Sequence, residues 1–174
     1  MTTGSGALTI RLRRRTDGAV VFELERADGT RTWQKRTGAT ADFFAVHDLT
    51  HYVVETELRF PRGFYGLVAE GWDLADFGTP WPRGPLPAEA LAPEVIVGCF
   101  DTARAARTPL TAADCNDSVA SYFRNAGLSV PMELSPESIA RIRDRLAALV
   151  WQWYAVPEGG TLELAFAPVS GIPR

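Results

Sequence analysis

The sequence predicts an α+β domain in which an antiparallel sheet of three to four strands packs against about five helices. Residues 7–36 alternate apolar and polar side chains around two Asp-Gly turns, and residues 41–154 show helical periodicity interrupted by Gly- and Pro-rich segments. A last alternating stretch follows Gly159-Gly160. With 174 residues, of which 46% are hydrophobic, the chain can form one core, so we predict a single domain over 1–174.

The sheet is expected to begin as a meander. Leu8, Ile10 and Leu12 alternate with polar residues, and the Asp-Gly dipeptides at 17–18 and 28–29 separate this strand from strands over 20–25 and 31–35. Residues 161–166 alternate in the same way. We therefore expect a C-terminal strand to join the meander.

Five helices are predicted, at 41–60, 64–77, 88–107, 112–127 and 136–154. The second contains Gly66 and Gly71, and each costs about 1 kcal/mol relative to Ala, which we interpret as a sign of close approach between the first two helices. Residues 78–87 contain four prolines and predict an ordered loop or lid. Trp72, Trp81 and this loop are candidates to roof a cavity, with ordinary aromatic packing as the alternative.

Composition excludes several classes of protein. Lys and Arg total 18 against 21 Asp and Glu, a net charge of -3, so no basic field favours nucleic acid. No apolar run reaches the roughly 18–20 residues of a membrane span, and no signal-peptide pattern opens the chain. We predict a cytoplasmic protein that binds neither nucleic acid nor membrane, with Cys99 and Cys115 reduced. Composition leaves the oligomeric state open.

Both histidines of the chain lie four residues apart, at His47 and His51. On a helix this spacing places two imidazole rings on one face, one turn apart, close enough to share a metal ion. The stripe that holds them is otherwise apolar, so the rings are expected to point inward. Because two buried, charged imidazoles would repel each other, a neutral pair that shares a cation is one solution. Neutral histidines bonded to backbone carbonyls, Asp48 or Tyr52 are the alternative.

Glu70 is the candidate third ligand. It lies on the second predicted helix among apolar and small residues, where an unpaired carboxylate is costly. Folding the first two helices antiparallel brings Glu70 level with His51 within about 3 Å along the axis. Two histidines and one carboxylate form the ligand set of a catalytic zinc or non-haem iron site. The sequence therefore predicts a divalent metal site, with zinc as the first candidate and Glu55 as the reserve ligand.

The segment His47-Asp48-Leu49-Thr50-His51, followed after eighteen residues by Glu70, resembles the gluzincin metallopeptidases. In those enzymes an HExxH motif is completed by a glutamate ligand on the next helix. The resemblance implies His47, His51 and Glu70 as zinc ligands. It covers about 24 of the 174 residues, and Asp48 stands where those enzymes have the glutamate that activates water.

The Asp at position 48 resembles a second family, the HDxxH motif of the Coq protein of ubiquinone biosynthesis. That family has a glutamate twelve positions after the second histidine, where this chain has Gly63, so Glu55 or Glu70 would have to substitute. The stretch from His47 to Asp73 is also similar to small bacterial proteins of no assigned function, a resemblance that implies no activity.

Two hypotheses follow. In the first, the chain is a metal-dependent hydrolase acting on a small molecule or a peptide, and Asp48 either orients a histidine or serves as general base. In the second, it is a binding or structural protein in which the same residues form a buried polar network, or hold a metal without a reaction. Asp73 is expected either to bond a ligating histidine or to face solvent. Asp114 and Asp117 are interpreted as acidic residues of a helix start.

Overall fold

The four-stranded antiparallel sheet forms one layer of the molecule. The computed structural model describes residues 6–168, and its strands are β1 (Leu8–Arg14), β2 (Val20–Glu25), β3 (Arg31–Arg36) and β4 (Thr161–Phe166), in the order β3-β2-β1-β4. In the central strand β1, Ile10 pairs with Leu24 of β2 on one side and with Leu164 of β4 on the other. The meander and its C-terminal partner strand are thus confirmed.

Residues 6–168 contain five α-helices, as the α+β prediction requires. They are α1 (Thr40–Glu57), α2 (Phe64–Ala69), α3 (Ala88–Ala106), α4 (Ala112–Asn125) and α5 (Pro136–Ala155). Helix α1 packs against β2 and β3, α3 and α5 pack against α1, and α4 packs against α3. The inward residues of β1 and β2 share one hydrophobic cluster with α1, α3, α4 and α5. Among the helices of residues 6–168, none combines the length and the apolarity that crossing a membrane demands.

The prediction of a continuous second helix over 64–77 is wrong. Helix α2 stops at Ala69, and a separate 3-10 turn follows at Leu74–Phe77. Gly71 between them has φ +107°, a left-handed conformation that ends a helix. Arg26, from the turn between β2 and β3, donates to the carbonyl of Val68 at 2.7 Å and to that of Trp72 at 2.5 Å. A distant side chain therefore bonds carbonyl groups at and beyond the end of α2.

The two glycines of this segment do not bring α1 and α2 together. A Cβ on Gly66 would overlap the carbonyl oxygen of Pro61, in the turn that leads into α2. Gly71 meets nothing within 4 Å and serves the left-handed turn instead. The close helix pair inferred from the glycines is thus corrected: Gly66 allows a tight loop, and Gly71 ends the helix.

Candidate functional site

Helix α1 carries both histidines on the face turned toward the interior. The ring centroids of His47 and His51 are 4.8 Å apart and the ring planes are inclined by 74°. The His51 side chain is 3% exposed, whereas that of His47 is 28% exposed. The i, i+4 spacing thus gives two adjacent imidazoles, one enclosed and one accessible from solvent.

His47 is held by Asp101 of α3. Nδ1 of His47 donates to Oδ2 of Asp101 over 2.6 Å, and Arg104 donates to the other carboxylate oxygen over 3.0 Å. Burial would raise the pKa of Asp101, but its bonds to His47 and Arg104 prevail and lower it, so this group is a carboxylate. Burial likewise opposes the charged form of His47, yet Asp101 and the nearby carboxylates raise the His47 pKa above its usual 6.5. Nε2 of His47 makes no hydrogen bond within residues 6–168.

His51 lies between two glutamates. Its Nδ1 is hydrogen-bonded to Oε1 of Glu55 at 3.2 Å, and its Nε2 is 3.7 Å from a carboxylate oxygen of Glu94 on α3. Burial lowers the pKa of His51, because a charged imidazole would be poorly solvated there. The ring is therefore neutral at neutral pH.

Glu55, the predicted reserve ligand, caps the amino end of α2. Its two carboxyl oxygens accept the backbone N–H groups of Phe64 at 2.8 Å and Tyr65 at 3.0 Å. Burial raises the pKa of Glu55 to about 8, even though these N–H groups favour its ionised form. Glu55 thus connects α1 to α2 and is hydrogen-bonded to Nδ1 of His51.

Asp48 is buried beside Arg36 of β3. The guanidinium donates to Oδ2 of Asp48 and lies over the ring of Phe44, 4.4 Å from its centroid. Burial raises the pKa of Asp48, against the opposing effects of Arg36 and His47. The structure thus gives Asp48 an ion-pair partner across the helix–sheet interface, and its assignment as a general base stays a prediction.

A cleft of about 340 Å³ opens in front of these groups. Its polar lining residues are Gln34, Arg36, His47, Asp48, His51 and Glu94, and its other lining residues include Phe44, Phe64, Phe77, Trp81 and Leu86. Trp81 is 44% exposed at its rim. The proline-rich loop thus contributes Trp81 to the lining of this cleft, whereas Trp72 packs with Leu67 and Ala90 in a separate cluster.

The structure does not bring Glu70 to the histidines. Its carboxylate is bonded to the guanidinium of Arg62 over 2.9 and 3.1 Å, in an ion pair about one-third exposed on both sides. Glu70 is still helical, as the C-cap residue of α2, so the predicted alignment fails because its carboxylate pairs with Arg62 and not because the helix ends early. Within residues 6–168, no three His, Cys, Asp or Glu side chains are arranged to hold a metal ion as they stand.

The other acidic candidates have local partners. Asp73 caps the 3-10 turn and accepts from Arg26 at 2.8 Å, and Asp114 is bonded to Thr111 at the start of α4. Asp117 is exposed on α4. Cys99 is half-buried and Cys115 buried, and both are free thiols. The interpretation of Asp114 as part of a helix start is confirmed.

Glu94 and Asp101 are the site residues that the sequence prediction missed. They lie seven positions apart on α3, two turns along one face, in a helix whose buried residues include Val97. An acidic pair at this spacing beside a buried stripe was a usable signal. What the sequence could not supply was the information that α3 is the helix that faces the histidines of α1.

Comparisons of this chain with protein-family models, with curated proteins and with solved structures found no match. The geometry of the cleft is therefore the basis for assigning a functional class.

Proposed function

We propose that this protein binds a divalent metal ion in the cleft, through Nε2 of His47, Nε2 of His51 and the carboxylate of Glu94. Zinc is the first candidate, because two imidazoles and one carboxylate are a ligand set that zinc uses in catalytic sites. Glu94 takes the place that the sequence had suggested for Glu70. A cytoplasmic location with reduced cysteines belongs to the same proposal.

The observation that carries the proposal is the hydrogen bonding of the two Nδ1 atoms. Each is engaged by a carboxyl group, Asp101 for His47 and Glu55 for His51, which leaves the Nε2 atoms for another partner. Histidines that bind metals have their second nitrogen held in this way, since the bond fixes the ring and increases its basicity.

Glu94 lies close to the distance from His51 that a shared zinc ion requires. Donor atoms bound to zinc at about 2.0–2.1 Å in a tetrahedron are about 3.3 Å from one another, and the present separation from Nε2 of His51 to Glu94 is 3.7 Å. The side chain of Glu94 is 35% exposed, so a change of rotamer meets little resistance. A metal held there would leave a coordination position facing the cleft.

Such an ion would supply Lewis-acid chemistry, polarising a carbonyl or lowering the pKa of a bound water. The hydrolase hypothesis therefore stays within this proposal, with the substrate a small molecule or a short peptide segment that fits the cleft. Phe44, Phe64 and Trp81 would contact its apolar part, because they line the cleft beside the histidines.

Zinc titration of metal-free, tag-free protein tests the proposal. We expect one equivalent to bind to the unaltered chain, no stoichiometric binding in His47→Ala or His51→Ala, and a loss of tenfold or more in Glu94→Gln. Asp101→Asn should weaken binding about 10- to 100-fold, since it acts on the ring orientation of His47. Circular dichroism of each variant checks that the fold is retained.

Two variants serve as matched controls. Glu89→Gln lies on the same helix as Glu94 but removes a surface partner of Arg62, and Glu70→Gln removes the other. Both should bind zinc like the unaltered protein. Equal zinc binding by the unaltered chain and the double variant of His47 and His51 would overturn the proposal, as would an affinity that depends on Glu70 and not on Glu94.

The second candidate function is a metal-free binding protein whose histidines are part of a buried polar network. It is favoured by the fact that Asp48 and Glu55 already have protein partners, in Arg36 and in the backbone of α2. In that case the His47 and Glu94 variants change stability or ligand binding in the cleft but never metal content.

A further inference from the structure

A second, mostly apolar groove lies between α3 and α5 and shares no lining residue with the histidine cleft. We call it the α3–α5 groove; its volume is about 300 Å³, and its apolar walls include Val46, Phe100, Leu110, Ile139, Leu146 and Val150. Val46, Phe100 and Ile139 are buried, whereas Thr108 and Pro109 at the rim are exposed. The groove is therefore open to solvent but lined by core side chains.

The charged side chains that line this groove are both cationic. Arg104 from α3 and Arg143 from α5 are its charged lining residues, and no acidic side chain of residues 6–168 is among them. Each guanidinium has one carboxylate neighbour on its own helix, Asp101 and Asp144, both at 3.0 Å. Since a guanidinium has five N–H donors, both retain donors for a further acceptor.

We propose that the α3–α5 groove binds a medium-chain alkyl carboxylate, with the alkyl chain against the apolar walls and the carboxylate between Arg104 and Arg143. Apolar walls favour a hydrocarbon, and the two cations favour a single anionic head group. The inference does not depend on metal binding in the histidine cleft.

The size of the groove limits the length of the chain. An apolar cavity of about 150 Å³ holds one benzene molecule, so the 300 Å³ available here accommodates about twelve non-hydrogen atoms. Octanoate, with ten, fits within that limit. A groove of this volume is too small to accept a helix or a strand of a partner protein.

Isothermal titration of the full chain with octanoate tests the proposal. Each methylene removed from the ligand should weaken binding about three- to fourfold, so hexanoate binds about tenfold more weakly. Octan-1-ol, which lacks the charge, should bind more weakly than octanoate, and octylammonium should not bind. Methyl resonances of Val46, Ile139 and Leu146 should shift on addition of octanoate.

Variants separate the two parts of the site. Arg104→Gln and Arg143→Gln should weaken octanoate binding while leaving octan-1-ol unaffected, and Ala147→Phe, which places a ring at the groove wall, should abolish binding of both. Arg141→Gln is the matched control, because Arg141 lies on α5 outside the groove and pairs with Glu57.

Three results would overturn the inference. The first is equal binding of octanoate and octylammonium. The second is binding that survives Ala147→Phe in a folded protein. The third is a self-association of the chain that Ala147→Phe abolishes while octanoate has no effect, which would mean that a second copy covers the groove. Zinc titration of the Ala147→Phe variant should be unchanged, so failure here is distinct from failure of the metal proposal.

Discussion

At the scale of single residues, Gly63 determines where the Glu55 carboxyl group lies. A Cβ at position 63 would be 2.5 Å from Oε2 of Glu55, a separation that requires movement of a carboxyl group held by the backbone N–H groups of Phe64 and Tyr65. We predict that Gly63→Ala lowers the free energy of unfolding by about 1–3 kcal/mol through this overpacking. Urea denaturation followed by circular dichroism measures the change.

Gly98 provides the control for that substitution. It is exposed within α3 and a Cβ there would meet nothing within 4 Å, so Gly98→Ala should stabilise the protein by about 0.5–1 kcal/mol. If Gly63→Ala were as well tolerated as Gly98→Ala, the packing of Glu55 against position 63 would be contradicted.

A second prediction for a single residue concerns the protonation of Glu55. Its pKa is raised from 4.5 to about 8 by burial, so the folded state holds this proton more tightly than the unfolded state. The stabilisation from the bound proton is fully present below pH 4.5 and is lost as the pH rises through about 8. The free energy of unfolding should therefore fall across this range.

Glu55→Gln isolates that contribution, because the amide cannot ionise. His47 and Asp48 have raised pKa values as well, and His51 a lowered one, so the difference between the two proteins is the informative quantity. The variant should lose less stability than the unaltered protein between pH 5 and pH 8, by a few kcal/mol. Parallel stability curves would show that Glu55 is ionised throughout.

At the scale of elements, the ion pair of Asp48 and Arg36 joins α1 to β3. Both side chains are largely buried, so removing one charge leaves the other without its partner. We predict that Asp48→Asn costs about 3 kcal/mol of folding free energy, measured by denaturant unfolding. Asp17→Asn, which breaks the exposed pair with Lys35, should change stability little. An Asp48→Asn protein of unchanged stability would mean that this buried pair makes no net contribution to folding.

The helices and strands also show which parts of the fold could be predicted from the sequence. Alternation and Asp-Gly turns predicted β1 to β3, and apolar periodicity predicted α1, α3, α4 and α5, because those signals are local. The end of α2 also had a local signal, Gly71, whose N–H bonds the carbonyl of Val68 in a left-handed turn, but from the sequence alone we interpret this glycine as a sign of close helix packing. The bonds from Arg26 to the carbonyl groups of Val68 and Trp72 come from a turn more than forty residues earlier, and no local pattern indicates them.

The same distinction between local signals and tertiary packing applies to the candidate site. The i, i+4 spacing of His47 and His51 predicted two neighbouring rings, because both lie on one helix. The acidic group that faces them had to come from another element, and the choice between Glu70 and Glu94 depends on whether α2 or α3 lies opposite. That is a property of tertiary packing, which no local pattern contains.

At the scale of the whole molecule, the last strand completes the core begun by the first. Strand β4 pairs with β1, which lies at the other end of the described residues. Phe166 at the end of β4 is 2% exposed, and its ring centroid is 5.5 Å from that of Tyr65. Tyr52 of α1 donates to the carbonyl of Ala165 at 3.1 Å. The helix that carries the histidines is thus fixed to the C-terminal strand.

We predict that Phe166→Ala costs about 3–5 kcal/mol and that the loss appears in the unfolding of the entire molecule. Phe166 belongs to the same hydrophobic cluster as Leu49 and Val53 of α1, so β4 cannot detach without exposing the helix of the candidate site. Fluorescence and circular dichroism should report one coincident transition at lower urea concentration. Thr161→Ala, at the exposed start of β4, should change stability by no more than about 0.5 kcal/mol. Two separate transitions in the Phe166 variant would mean that β4 is an appendage, and that α1 keeps its histidines in place without it.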